Sequence, residues 1–123
     1  MKTILPKFID SYGDSRGGLY AIENIKQFIP FEINRFYFIT GSNTSSKRGG
    51  HGHKNLKQFF VLANGYVELL INQPNSTKKT KIIFDTPGQF FYLEQGFFRE
   101  LLLNDDSILL VFASDNYDEG DYF

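Results

Sequence analysis

The sequence predicts an all-β domain, a sandwich or a barrel, and three observations carry that expectation. Aromatic residues form 17 % of the 123-residue chain, with 14 Phe and 7 Tyr against one Met and no Trp; bulky rings of this kind suit pleated, half-buried strands better than helices. Apolar segments of four to eight residues recur between turn signals, and helical periodicity is scarce. The length fits one domain, residues 1–123, large enough to bury a core without disulfides or metals to staple it.

Taken in order, the predicted strands are Lys7 to Ile9, Gly18 to Glu23, Asn34 to Ile39, Gln58 to Leu62 and Tyr66 to Asn72. Thr80 to Asp85, Gln89 to Leu93, Phe98 to Leu103 and Ser107 to Ala113 complete the set. Ile25 to Ile29 is expected to form a short helical turn that Pro30 stops, because proline cannot continue a helix ladder. Asn64-Gly65, between two apolar runs, predicts a tight hairpin, since both residues tolerate positive φ. The polar stretch from Pro74 to Lys79 predicts a second, looser hairpin loop, with Lys78, Lys79 and Lys81 on a solvated face.

Composition excludes several function classes. Thirteen Lys and Arg against 14 Asp and Glu leave a formal charge of −1, without the basic excess that nucleic-acid binding demands. No run approaches the roughly 20 apolar residues that span a bilayer, and the start, MKTILPKFID, has no signal-like apolar core, so a cytoplasmic protein is expected. The lack of cysteine removes thiol chemistry and Cys-based zinc sites. Acidic residues gather at the end of the chain (Asp115, Asp118, Glu119, Asp121) and are read as a solvated terminus. Lys47, Arg48, Lys54 and Lys57 surround the only two histidines, which suits an anionic ligand.

Those histidines form the segment Gly49-Gly50-His51-Gly52-His53. Two residues apart on an extended strand, they project to one face and can touch one ligand. Four residues then lead to Gln58 and six more to Gly65; further on, Gly88, Glu94, Gly96 and Arg99 follow at spacings of six, two and three. This resembles the two cupin motifs, His-x-His…Glu…Gly and Gly-x5-Pro-x-Gly-x2-His, and the resemblance implies a cupin jelly-roll barrel. In metal-dependent cupins the Glu and the last His complete the metal shell; here Gln58, a weak neutral ligand, and Arg99, a permanent cation, stand there. A guanidinium repels a divalent ion, and two histidines alone make an incomplete site. No metal or other cofactor is therefore expected, and the pair is left to move protons near neutral pH.

A longer series narrows the resemblance. Asp14-Ser-Arg16-Gly-Gly18-Leu19, Pro30-Phe31-Glu32-Ile33-Asn34-Arg35-Phe36-Tyr37, Arg48-Gly-Gly-His51-Gly-His53-Lys54-Asn-Leu56-Lys57-Gln58, Leu109-Leu-Val111-Phe-Ala113-Ser114 and Tyr117-Asp118-Glu119-Gly-Asp121-Tyr122 occur in that order. The chain is similar to the sugar 3,4-ketoisomerases, the WxcM-like cupins that act without metal on dTDP-4-keto-6-deoxyglucose. The resemblance implies a homodimer, with N-terminal strands exchanged between subunits, acting on the way to amino-deoxy sugars. It implies His51 as the base that takes the C3 proton and His53 as its partner. Tyr37 is implied as a proton shuttle, with a barrel-filling aromatic as its plainer role. Arg48 and Arg35 are implied at the pyrophosphate, and Arg16 and Arg99 near the sugar. Gln58 is expected to bond a histidine and fix its tautomer. The region Glu94-Gln-Gly96-Phe97-Phe98-Arg99-Glu100 departs from the family's Pro-x-Gly-x-Trp-His-Glu, which leaves the product's C4 configuration open. Two other readings stand beside this one: a nucleotide-sugar-binding cupin without turnover, and a metal-dependent cupin.

Overall fold

A computed structural model describes residues 1–43 and 47–123. Twelve strands are present among the described residues: β1 (Lys2–Ile4), β2 (Lys7–Phe8), β3 (Asp10–Asp14), β4 (Gly17–Ala21), β5 (Arg35–Thr40), β6 (Lys47–Gly52), β7 (Gln58–Asn64), β8 (Val67–Asn72), β9 (Thr80–Phe84), β10 (Gln89–Leu93), β11 (Phe98–Leu103) and β12 (Ile108–Ala113). One four-residue helix, α1 (Ile25–Phe28), precedes Pro30 as expected. Among the described residues no helix is long and apolar enough to cross a membrane.

One sheet has the order β1-β9-β8-β11-β6 and the other β2-β10-β7-β12-β5. Successive strands from β5 to β12 thus fall in the interleaved order of a jelly roll. The sheets face one another without closing into a hydrogen-bonded ring, so the expected barrel is a flattened one. Its apolar interior joins Phe60, Leu62, Leu109 and Val111 of one sheet to Val67, Leu69, Ile71, Ile82, Phe84, Leu101 and Leu103 of the other. A second cluster lies on the outer face of the β2–β5 sheet. There Phe59 and Val61 are covered by Ile9 and Ile29, with Ile22, Phe31 and Ile33 packed alongside. Alternation explains both clusters: β7 sends Phe60 and Leu62 inward and Phe59 and Val61 outward.

Asn64-Gly65 does not make the expected hairpin. β7 and β8 belong to different sheets, so the pair turns a corner between layers, and only Gly65 has positive φ, at 87°. A β-carbon there would also lie 2.6 Å from Ser107 Cα. Gly65→Ala is expected to destabilise the fold by about 1–3 kcal/mol through strain at that backbone conformation, measurable by chemical denaturation. The Pro74–Lys79 loop does connect a hairpin, since β8 and β9 pair antiparallel. Beyond the predicted strands, β1, β3 and β6 are present. β3 and β4 form a separate ribbon that stands almost wholly exposed.

Candidate functional site

At one end of the jelly roll, where β5, β7 and β11 begin and β6 ends, the apolar interior gives way to polar side chains. They line a cavity of about 540 Å³. Each strand places its residue by alternation. β5 turns Arg35, Tyr37 and Ile39 inward and leaves Phe36 and Phe38 outside. β7 contributes Gln58 and Phe60, and β11 contributes Arg99 and Leu101.

β6 needs a special device. Arg48 and His51 are three apart, which would put them on opposite faces of a regular strand. The ladder with β11 pairs Leu101 with Arg48, Glu100 with Gly49 and Arg99 with His51, leaving Gly50 as an extra residue. Gly49 and Gly50 take φ of 87° and 79°. A β-carbon on Gly49 would meet Arg99 O at 2.7 Å. This glycine bulge re-aims the strand so that Arg48, His51 and Arg99 all reach the cavity.

The histidine rings lie edge to face, with centroids 4.9 Å apart, so the two imidazoles share one environment as their spacing predicts. Tyr122 stacks on His51 at 4.0 Å with the planes 15° apart and meets the His53 ring edge-on at 5.0 Å. His53 is 7 % exposed, and its Nδ1 lies 2.9 Å from Asp121 Oδ2. Asp121 also accepts hydrogen bonds from the backbone N–H groups of Asn55 (2.8 Å) and Leu56 (3.2 Å). Burial by itself would raise the Asp121 carboxyl, but the bonds from His53, Asn55 and Leu56 outweigh it and hold it below the ordinary 3.8. An ionised carboxylate only accepts, so Nδ1 of His53 carries the proton and Nε2 is the basic nitrogen.

The His53 imidazole is held below its ordinary 6.5, chiefly by burial and then by the Arg99 charge, against the pull of Asp121. Folding therefore lowers its proton affinity. Its stabilising contribution is complete above pH 6.5 and is lost as pH falls from there through the folded value. Thermal melts at pH 7.5 and 5.5 are expected to show a larger drop for the native chain than for His53→Gln. Equal drops would contradict the assignment.

Arg99 is 4 % exposed. It donates through Nη1 to Gln58 Oε1 and through Nη2 to Phe97 O, the latter at 3.2 Å. Burial pulls its pKa down to about 10, still a cation at neutral pH. Gln58 Nε2 donates to the Tyr37 hydroxyl at 2.8 Å; the amide thus joins Arg99 to Tyr37, where it was expected to hold a histidine. Burial pushes the Tyr37 phenol above its ordinary value, against the opposing effects of Gln58, Arg35 and Arg99. Arg35 lies over the Tyr37 ring, 4.4 Å from its centroid. Arg48 lines the same cavity from an exposed position.

Of the predicted site residues, His51, His53, Tyr37, Arg48, Arg35, Arg99 and Gln58 line one cavity. Arg16 does not join them; it stands exposed on the β3–β4 turn, paired with Asp14 at 2.5 Å. The sequence assigns Asp121 to a solvated end and names Tyr122 only within the family-like terminal segment; neither is among the predicted site residues. The tail folds back onto β6: Gly52 and Phe123 exchange backbone hydrogen bonds, and Lys54 N donates to Asp121 O. Asp115, Asp118 and Glu119 are exposed as expected. The signal available was the Asp121-Tyr122 pair inside the family-like terminal segment. Among the described residues no group of three or more His, Cys, Asp or Glu is placed to hold a metal ion.

The chain matches the family FdtA, described as WxcM-like, C-terminal, over residues 2–123. It is 38 % identical over 110 residues to the TDP-4-oxo-6-deoxy-alpha-D-glucose-3,4-oxoisomerase of Aneurinibacillus thermoaerophilus, covering 89 % of this chain and 77 % of the relative. Among solved structures it is similar to a 3,4-ketoisomerase from Helicobacter canadensis, with TM-score 0.81, 35 % identity, and 94 % and 86 % of the two chains covered. It is also similar to a His-to-Asn mutant of the 3,4-ketoisomerase QdtA from Thermoanaerobacterium thermosaccharolyticum in complex with TDP-4-keto-6-deoxyglucose. That match has TM-score 0.82 and 32 % identity, and covers 94 % and 83 % of the two chains.

Proposed function

Because the chain belongs to the FdtA, WxcM-like family, we propose that it is a 3,4-ketoisomerase that moves the keto group of dTDP-4-keto-6-deoxyglucose from C4 to C3. The observation that carries this reading is the neutral His53, held by Asp121 through Nδ1, edge to face with His51 in a cavity that also holds Tyr37 and Arg99.

The C3–H bond is acidified by the adjacent C4 carbonyl. His51 takes that proton, and the bonding pair forms the C3–C4 double bond while charge collects on O4. Tyr37 donates its proton to O4, and the buried Arg99 cation stabilises the developing oxyanion. His53 Nε2 then accepts the O3 proton as the C3 carbonyl forms, the electron pair returns to C4, which takes a proton from His51, and the proton left on His53 is returned through solvent to Tyr37, which gave its own to O4. C3 is oxidised and C4 reduced by the same electrons, so the step requires no external oxidant. Arg48 and Arg35 supply guanidinium forks for the pyrophosphate. A divalent ion fits the donor set poorly, since the Arg99 cation and the neutral Gln58 amide, bonded to each other, stand in the cavity beside the two histidines.

A homodimer suits the exposed apolar surface. Phe36 and Phe38, 52 % and 60 % exposed on the outer face of edge strand β5, and Tyr12, Leu19 and Tyr20 on the β3–β4 ribbon are larger than solvent favours. β1 and β2 pair with β9 and β10 of their own chain; in an exchanged dimer the same edges receive the partner's strands. A cytoplasmic location is the setting that goes with this proposed substrate.

The test is incubation with dTDP-4-keto-6-deoxyglucose, followed by 13C NMR. The carbonyl resonance is expected to move from C4 to C3. Tight binding of TDP with the substrate unchanged would contradict the isomerase and leave a binding module.

A further inference from the structure

Gln58, 5 % exposed, sits between two groups that fix which way its amide faces. A guanidinium has five donors and no acceptor, so the side that meets Arg99 Nη1 must be the carbonyl oxygen. The NH2 must then face Tyr37. An amide NH2 only donates, so the phenol oxygen accepts. The phenol's own proton must leave in another direction, and Tyr37 borders the cavity shared with His51 and His53. The Arg99 cation, with Nη2 anchored on Phe97 O, thus selects one of two otherwise similar amide orientations.

Resting on the reaction assigned above, we propose that Gln58 is a positioning residue that makes the Tyr37 hydroxyl an obligate donor into the cavity. The donors then run one way, from Arg99 through Gln58 and Tyr37 to the substrate oxygen that gains charge. Each bond polarises the next, and the chain needs no reorientation when the enediolate forms. The role belongs to an amide alone: a carboxylate of the same shape accepts from both neighbours and draws the phenol proton away from the cavity.

Gln58→Glu tests this. Its carboxylate keeps Arg99 paired, so the fold is preserved, and chelator in every assay keeps a metal from bridging the new carboxylate and the histidines. The kcat is expected to fall about 10²-fold, with the Kd for TDP within about threefold. Tyr37→Phe is expected to lose a similar factor, and the double variant no more than either single one. Retained kcat in Gln58→Glu, or losses that multiply in the double variant, would overturn the proposal. A second readout needs no turnover. The Tyr37 phenol titration, isolated as the ultraviolet difference between each Gln58 form and its Tyr37→Phe counterpart, should move upward in Gln58→Glu; an unchanged midpoint is the contrary result. If the native protein fails to isomerise, the reaction falls, while this titration still decides the direction of the hydrogen bond.

Discussion

His51→Asn is expected to lower turnover by about 10³-fold or more, within the range that a positioned general base supplies, while TDP binds as before. The imidazole is the group that must take a proton from carbon, and an amide cannot hold one. Asn keeps a polar side chain of smaller size on β6, next to Tyr122, whose ring stacks on His51 at 4.0 Å. The glycine bulge that aims position 51 is backbone geometry and stays in place. NMR progress curves read kcat, and titration calorimetry with TDP reads binding. A residual kcat within tenfold of the native protein would remove His51 from the role of carbon base.

Asp121→Asn is the next largest expected effect, about 10²-fold in kcat. The substitution keeps the size, and its carbonyl oxygen can still accept from Asn55 N. The group in place of Oδ2 becomes an NH2 that can no longer accept from Leu56 N and that donates to His53 Nδ1, where the carboxylate accepts from both. That moves the ring proton to Nε2 and turns a base into a donor. The negative charge that pulls His53 upward also disappears, so its pKa should drop further. Measured 15N shifts of His53 should show the exchanged tautomer, and TDP affinity should stay within about threefold. An unchanged tautomer, or kcat near the native value, would show that Asp121 only pins the tail.

Much of the fold was legible because local pattern and burial coincide. Alternation in Arg35 to Ile39 and Gln58 to Leu62 matches the two faces those strands present, and the His-x-His spacing does place both rings in one cavity. The misses were of two kinds. β1 and β3 are Lys2–Ile4 and the polar Asp10–Asp14; each is held by its neighbour's ladder and has no alternation of its own to reveal it. Asn64-Gly65 carried a genuine turn signal, but a local signal cannot say whether the next strand returns to the same sheet. The site's missing half had a similar cause. Asp121 meets His53 across 68 positions of sequence, and charge and polarity alone do not separate this buried carboxylate from its exposed neighbours Asp118 and Glu119; only its pairing with Tyr122 in the family-like segment marks it. The partners of Gln58 likewise depend on how β5 and β11 face β7 across the interior.

The central claim is that two metal-free imidazoles carry hydrogen between adjacent sugar carbons. Its most direct measurement is the reaction of chelator-treated protein with dTDP-4-keto-6-deoxyglucose in D2O, followed by proton NMR. The account predicts a 3-keto product with no hydrogen left at C3 and with solvent deuterium at C4 to the extent that the His51 proton exchanges before it is returned, formed at a rate that added divalent metal does not raise. A substrate that keeps its C3 hydrogen, or turnover that appears only when metal is restored, would contradict it.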